Sequence, residues 1–128
     1  MNLADYFQSS KGIGVLATSD SDGNVDIAIY ARPYVIDQST IAFSMSQRLS
    51  YANVQSNPKA AYMFIEQGQG YSGKRLYLTR LSEEKDPQRI RDIKKQHSRL
   101  FDPGDASKHL VYFTIDRMRP LVGDKSRR

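Results

Sequence analysis

Three hydroxyl side chains and one guanidinium stand close together in the middle of the chain: Ser44, Ser46, Ser50 and Arg48. They follow an apolar run at 40–45 that is typical of a strand, and they open a helix predicted from about Arg48 to Ser56. That helix ends at Asn57 and Pro58, because proline disfavours helical backbone in the residue before it. A helix N-terminus has unpaired N–H groups and a positive dipole end, so this junction suits an anion, above all a phosphate. The alternative is that Ser46 only caps the helix while Arg48 is solvated.

The sequence shows no second pattern of catalytic or metal-binding residues. The chain has no cysteine, which excludes disulfides, thiolate zinc sites, iron–sulfur clusters and cysteine nucleophiles. His97 and His109 fall in different predicted elements, show no catalytic partner and lack the spacing of a metal site. No Ser-His-Asp, P-loop or Rossmann glycine pattern occurs. Two acidic pairs lie in turn sequences, where aspartate bonds its own backbone: Asp20 with Asp22, and Asp102 with Asp105.

Length and charge limit the classes of protein that the chain can be. Its 128 residues predict one domain over 1–123, followed by a basic tail at 124–128 that we expect to be solvated. The net charge of +5 favours anionic partners, among which a phosphorylated cofactor is preferred over nucleic acid. No apolar run approaches the length of a membrane span, and the N-terminus lacks a signal peptide's regions, so we expect a cytoplasmic protein.

Hydrophobic periodicity predicts six strands and three helices. A short helix is expected over 2–10, the central helix from Arg48 to Ser56, and a third helix from Asp86 and Pro87 onward. Residues 67–73 and 101–105 are predicted loops, and Pro33 indicates a bend or a sheet edge. The run at 59–65 is apolar on both faces, so a buried helix competes with a strand there. The predicted strands are 12–19, 25–30, 40–45, 59–65, 74–80 and 109–115.

Short turns between most of these strands indicate a mainly β, antiparallel protein with small helices. Six strands at this spacing favour a small β-barrel over a layered α/β sheet. Such a barrel fills its inside with apolar side chains and has little room for an internal ligand. Any sizeable ligand is therefore expected outside, against a strand edge or a subunit interface.

Four segments of the chain resemble the FMN-binding split barrels related to pyridoxamine 5′-phosphate oxidase, in their small single-domain branch. The segments are 12–23 (GIGVLATSDSDG), 41–62 (a strand, a basic and hydroxyl cluster, Asn, then Asn-Pro and the next strand), 70–78 and 110–115. The resemblance implies a six-stranded antiparallel split β-barrel that forms a homodimer and holds FMN at the dimer interface.

The resemblance also implies which residues contact the cofactor. The phosphate would lie on the strand-to-helix junction and the isoalloxazine along 29–32, while Tyr71 and Lys74 would reach the partner subunit's flavin from a loop, unless that loop is ordinary solvated structure. Arg32 would stabilise the reduced flavin near its N1/O2 edge; the alternative is a solvated arginine at a sheet edge. Catalytic residues stay unknown. The implied cofactor-binding residues are Ile29, Tyr30, Ala31, Arg32, Ser44, Met45, Ser46, Arg48, Leu49, Ser50, Asn53, Tyr71 and Lys74.

Two departures from the family pattern bear on function. Many members carry a lysine where this chain has Ser50, so Arg48 would have to supply the charge to the phosphate. The oxidase branch uses a C-terminal segment for its phosphorylated substrate, and the chain ends soon after Gly123, which disfavours true pyridoxamine phosphate oxidase activity. We therefore expect an FMN-dependent oxidoreductase or electron carrier. The alternative is a non-enzymatic binding module for haem, F420 or nucleic acid on the same fold.

Overall fold

The computed structural model describes residues 2–97 and 109–123. The predicted loop at 101–105 and the predicted basic tail at 124–128 lie outside the described residues. Within these two ranges, ten elements occur in chain order: α1 (Leu3–Ser9), β1 (Gly12–Ser19), β2 (Val25–Ile29), β3 (Tyr34–Asp37), β4 (Thr40–Met45), α2 (Leu49–Ser56), β5 (Lys59–Glu66), β6 (Gly73–Glu84), α3 (Pro87–His97) and β7 (His109–Pro120).

The described strands form one antiparallel sheet in the order β2-β1-β5-β6-β7-β4-β3. The prediction of an antiparallel, mainly β protein is confirmed, and the apolar run at 59–65 is a strand. The predicted strand number of six is wrong, because the described residues form seven strands. The missed strand, β3, has four residues between Pro33 and the turn at Asp37, which is too short for alternation to show. β6 and β7 are also longer than predicted, at 12 residues each.

The sheet curls so that its two ends meet across an apolar interior. Tyr30 follows β2 at one end, and its ring contacts Phe43 of β4 near the other end, with centroids 5.8 Å apart. Phe43 in turn lies 4.8 Å from Tyr62 on β5. Alternate residues of β4 and β5 point inward, as the two-residue period of a strand requires. Those inward side chains, Phe43 and Tyr62 among them, are almost fully buried.

Two helices cover the sheet where the curl leaves it open. Phe7 of α1 packs edge-on against Phe64, with centroids 5.5 Å apart, and closes one end of the interior. Ile90 of α3 packs with Ala42 and Leu110 on the opposite face of β4 and β7. Within 2–97 and 109–123, none of the helices has the length and apolar character that crossing a membrane requires.

Candidate functional site

The strand-to-helix junction after β4 presents an open helix N-terminus. Arg48 is the residue preceding α2, its backbone is extended, and no side chain caps the helix. The alternative in which Ser46 caps the helix is therefore wrong; the carbonyl oxygen of Ser46 instead accepts the backbone N–H of Arg48 at 2.8 Å. The side chains of Ser46, Arg48 and Leu49 are exposed. The junction thus offers unpaired N–H groups and one guanidinium to an anion from solvent.

The segment that follows β2 lies directly beside this junction. Tyr30 lies beside Ser50, which is buried in the first turn of α2. Burial raises the pKa of the Tyr30 hydroxyl above its usual value, while the nearby Ser50 hydroxyl and the Arg48 charge oppose that rise. The structure therefore brings Tyr30, Arg48 and Ser50 together, as the predicted cofactor site requires.

The path of the backbone at 29–32 is held by a tyrosine from the interior. The hydroxyl of Tyr62 donates to the carbonyl oxygens of Tyr30 and Ala31, at 3.1 and 3.2 Å. Gly14 permits this approach, because a Cβ there would overlap the Tyr62 hydroxyl and the Tyr30 carbonyl. Ile29 remains 73% exposed and Ala31 is exposed, so the outer side of the segment is an apolar surface beside the start of α2.

Helix α2 is fixed to the sheet chiefly by polar contacts. Val54 is its one fully apolar residue in the core, whereas Asn53 is 4% exposed and donates through Nδ2 to Thr18 Oγ1 at 3.0 Å. Asn53 therefore braces α2 against β1 with its side chain directed into the protein, and the side chain of Met45 is fully buried in the core. Both side chains face the interior and not the open junction, and a cofactor contact at either residue stays a prediction.

A partly buried carboxylate holds the opposite side of α2. Glu83, near the end of β6, accepts hydrogen bonds from Tyr51 at 2.8 Å and Gln55 at 3.1 Å. Arg80 binds the same carboxylate at 2.8 Å, and His109 Nδ1 lies 3.0 Å from its Oε2. Burial acts to raise the pKa of Glu83, but the hydrogen bonds from Tyr51, Arg80 and Gln55 hold that pKa below its usual value.

This cluster could not be found from the sequence. Glu83 and His109 are 26 positions apart, and only the pairing of β6 with β7 brings them together. The ring of His109 also stacks on Tyr51, with centroids 4.3 Å apart and planes at 24°. His109, which showed no partner in the sequence, thus has a carboxylate and an aromatic ring as neighbours.

The structure gives Arg32 a role that neither sequence interpretation contained. Its Nη1 donates to the carbonyl oxygen of Phe7 at 2.9 Å and also to that of Ser10. Those two carbonyls lie at the end of α1, where a helix has unpaired acceptors and a negative dipole end. Arg32 is therefore not a solvated arginine, and its guanidinium is directed at α1. A contact between Arg32 and a flavin stays a prediction.

Ser44 differs from its neighbours at the junction. Its Oγ is buried and has no hydrogen-bond partner within the described residues. Ser44 pairs with Leu110 of β7, so its side chain lies on the face of β4 opposite to Met45. An unpaired buried hydroxyl costs free energy, and it is available to a group that reaches it.

Tyr71 and Lys74 do not join the junction residues within one chain. Both line a cavity of about 310 Å³ beside the start of β6 and the end of β7. Lys74 Nζ lies 4.7 Å from the centre of the Tyr6 ring. The register places Lys74 opposite Phe64, which is opposite Gly14, so about 14 Å of sheet separates it from Tyr30. A role for these two residues therefore requires a second subunit, as predicted, or a separate ligand.

Comparisons with known proteins extend this geometry to a known fold. No family model matches the chain, and no curated protein matches its sequence. Solved structures do match, including an FMN-binding protein from Syntrophomonas wolfei subsp. wolfei, with a TM-score of 0.76 and 20% identity over 93% of this chain and 83% of that one. An F420 reductase matches with a TM-score of 0.63 and 19% identity, over 92% of this chain and 93% of that one. A Lactobacillus delbrueckii protein provisionally assigned as a pyridoxamine 5′-phosphate oxidase has a TM-score of 0.64 and 16% identity, over 94% and 89%.

These likenesses cover nearly the whole of each chain at low sequence identity. The protein therefore has the fold of the FMN-binding split barrels that resemble pyridoxamine 5′-phosphate oxidase, as the sequence resemblance indicated. Sequence identity below 25% supports a shared fold, but it does not show which ligand the chain binds.

Proposed function

We propose that the protein binds FMN, with the cofactor phosphate on the N-terminus of α2 and the isoalloxazine against the segment 29–31. The observation that carries the proposal is the uncapped start of α2, with Arg48 exposed beside it and Tyr30 next to its first turn. A phosphate dianion would accept from the free N–H groups and the Arg48 guanidinium, which compensates for Ser50 in place of a lysine.

The residues present fit the two ends of FMN. At the phosphate end, Ser46 and Arg48 are exposed donors, and the buried hydroxyl of Ser44 lacks a partner. At the ring end, Ile29 and Ala31 offer an apolar surface whose backbone Tyr62 holds in place. Flavin when bound supplies the hydride or electron chemistry, and the protein contributes orientation and electrostatics. We accordingly propose an oxidoreductase or electron carrier rather than a true pyridoxamine phosphate oxidase.

The outer face of the sheet supports a homodimer. Val25, Ile27 and Ile29 of β2 are between 71% and 82% exposed, and neighbouring Ile13 on β1 is 56% exposed. The register places Ile29 opposite Val15 and Ile27 opposite Ala17, so these side chains share one apolar face. An apolar face of this kind pairs with itself across a twofold axis, and a second copy would complete the flavin site from outside.

A titration with FMN tests the proposal directly. Purified protein, freed of any bound flavin, is mixed with FMN while the flavin fluorescence and the absorption near 450 nm are followed. Saturable quenching with a shifted spectrum is the expected result, and riboflavin, which lacks the phosphate, should bind more weakly. A protein that leaves the FMN spectrum unchanged at high concentration would contradict the proposal.

F420 is the second candidate ligand, because one matching structure is an F420 reductase. F420 also carries a phosphate, which the same helix N-terminus would accept. A competition experiment distinguishes the two ligands. If F420 displaces bound FMN at a lower concentration than added FMN does, the site prefers F420.

A further inference from the structure

We propose that Glu83 is a positioning residue for the ligand phosphate, acting through α2 without touching the ligand. This inference rests on the proposed function, since it concerns how the N-terminus of α2 is aimed. Glu83 places one partly buried carboxylate against a helix that has little apolar contact of its own.

Helix α2 depends on polar contacts for its position on the sheet. Of its eight residues, Ser50, Asn53 and Val54 are buried, and only Val54 is apolar. A helix usually takes its orientation from a wide apolar stripe, and this one lacks such a stripe. Directional hydrogen bonds therefore decide where its N-terminus points.

Glu83 binds two successive turns of this helix. Tyr51 and Gln55 are four residues apart and so lie on one side of α2. The Tyr51 hydroxyl donates to Oε2 and the Gln55 amide to Oε1, so both oxygens of one carboxylate are used. This double contact resists rotation of α2 about its axis as well as its tilt.

The Glu83 carboxylate is itself held in place by neighbouring side chains. Its side chain is 9% exposed, Arg80 donates to Oε1, and His109 lies against Oε2. His109 begins β7 and is paired with Met45, the last residue of β4. The cluster thus connects α2 to the end of β6, the start of β7 and the end of β4. The last residue of β4, Met45, lies three residues before Arg48.

A matched pair of substitutions tests the role. Glu83→Gln removes the charge at the contact with α2. Glu84→Gln removes the same charge one residue away, where the carboxylate binds Arg89 at 2.7 Å and the Asp86 N–H. Tyr51→Phe removes one helix-side donor while it leaves Glu83 with Arg80 and His109, and it serves if Glu83→Gln does not fold.

The readout is the affinity for FMN compared with that for riboflavin, which has no phosphate. Glu83→Gln should lower FMN affinity about three- to tenfold, the range of one net hydrogen bond, and leave riboflavin affinity unchanged. Tyr51→Phe should act in the same direction more weakly, and Glu84→Gln should change neither. Equal loss for both flavins, or no loss for either, would overturn the proposal, because a general structural effect would not distinguish the phosphate.

Amide hydrogen exchange separates this inference from the proposed function. Glu83→Gln should speed exchange of the hydrogen-bonded amides of α2 at 52–56 relative to β1 and β5, whether or not the wild-type protein binds FMN. If the wild type binds no flavin, the proposed function fails while faster exchange in α2 still supports the positioning role. Unchanged exchange in α2 would refute that role.

Discussion

The hydroxyl of Tyr62 donates to the carbonyl oxygen of Tyr30 at 3.1 Å, and this contact joins the interior of the barrel to the surface proposed for the flavin ring. Tyr62 is fully buried, and burial raises the pKa of its hydroxyl, so it stays a neutral donor. The same hydroxyl also reaches the Ala31 carbonyl. A core residue thus sets the path of an exposed segment.

Tyr62→Phe should lower the free energy of unfolding by about 1–3 kcal/mol, because two carbonyls lose their donor inside the protein. Urea unfolding measures the change. Tyr71→Phe is the control, since Tyr71 is 83% exposed, and its effect should be within about 0.5 kcal/mol. Equal stability of Tyr62→Phe and wild type would mean that water replaces the hydroxyl without loss.

Arg48→Ala should weaken FMN binding by about 1.5–3 kcal/mol, or about 10- to 150-fold, the range of a hydrogen bond to a charged group. Flavin fluorescence titration gives the dissociation constant. Arg91→Ala removes the same charge from the exposed side of α3 and controls for the long-range field. An unchanged constant in Arg48→Ala would remove Arg48 from the phosphate site.

Arg32→Ala should destabilise the protein, because two carbonyls at the end of α1 lose a charged donor. The expected cost is about 1.5–3 kcal/mol in the free energy of unfolding. Arg32→Lys keeps the charge but loses the planar fork, and should recover part of the stability. A shift in flavin reduction potential without a loss of stability would favour the flavin role predicted from the resemblance.

The site was predictable where one local pattern decides the structure. A strand that runs directly into a helix gives an exposed N-terminus, so the open start of α2 beside Ser46 and Arg48 followed from neighbouring residues. Met45 and Asn53 belong to the same stretch, yet their direction depends on what packs against them, and both face the core. The partnership of Glu83 with His109 depends on strand pairing over 26 positions, for which the sequence carries no signal.

Ile27→Asp should prevent dimer formation, because it places a charge in the middle of the apolar outer face. Light scattering after size exclusion measures the mass in solution. Ser21→Asp, in the exposed turn before β2, adds the same charge outside that face and should leave the dimer intact. A wild-type protein of monomer mass would contradict the proposed homodimer, and an Ile27→Asp dimer would place its interface elsewhere.

Acid should remove the contribution of Glu83 to stability. The folded-state pKa of Glu83 lies below its ordinary value of 4.5, so the ionised carboxylate stabilises the folded state at neutral pH. This stabilisation is complete above the unfolded-state pKa and is lost as the pH falls through the depressed folded-state pKa. The difference in unfolding free energy between wild type and Glu83→Gln should therefore be large at pH 7 and shrink below about pH 4.5. Carboxylates outside this cluster titrate in both proteins and cancel from the difference. A difference that stays constant from pH 7 to pH 3 would show that α2 is held by the shape of this side chain and not by its charge.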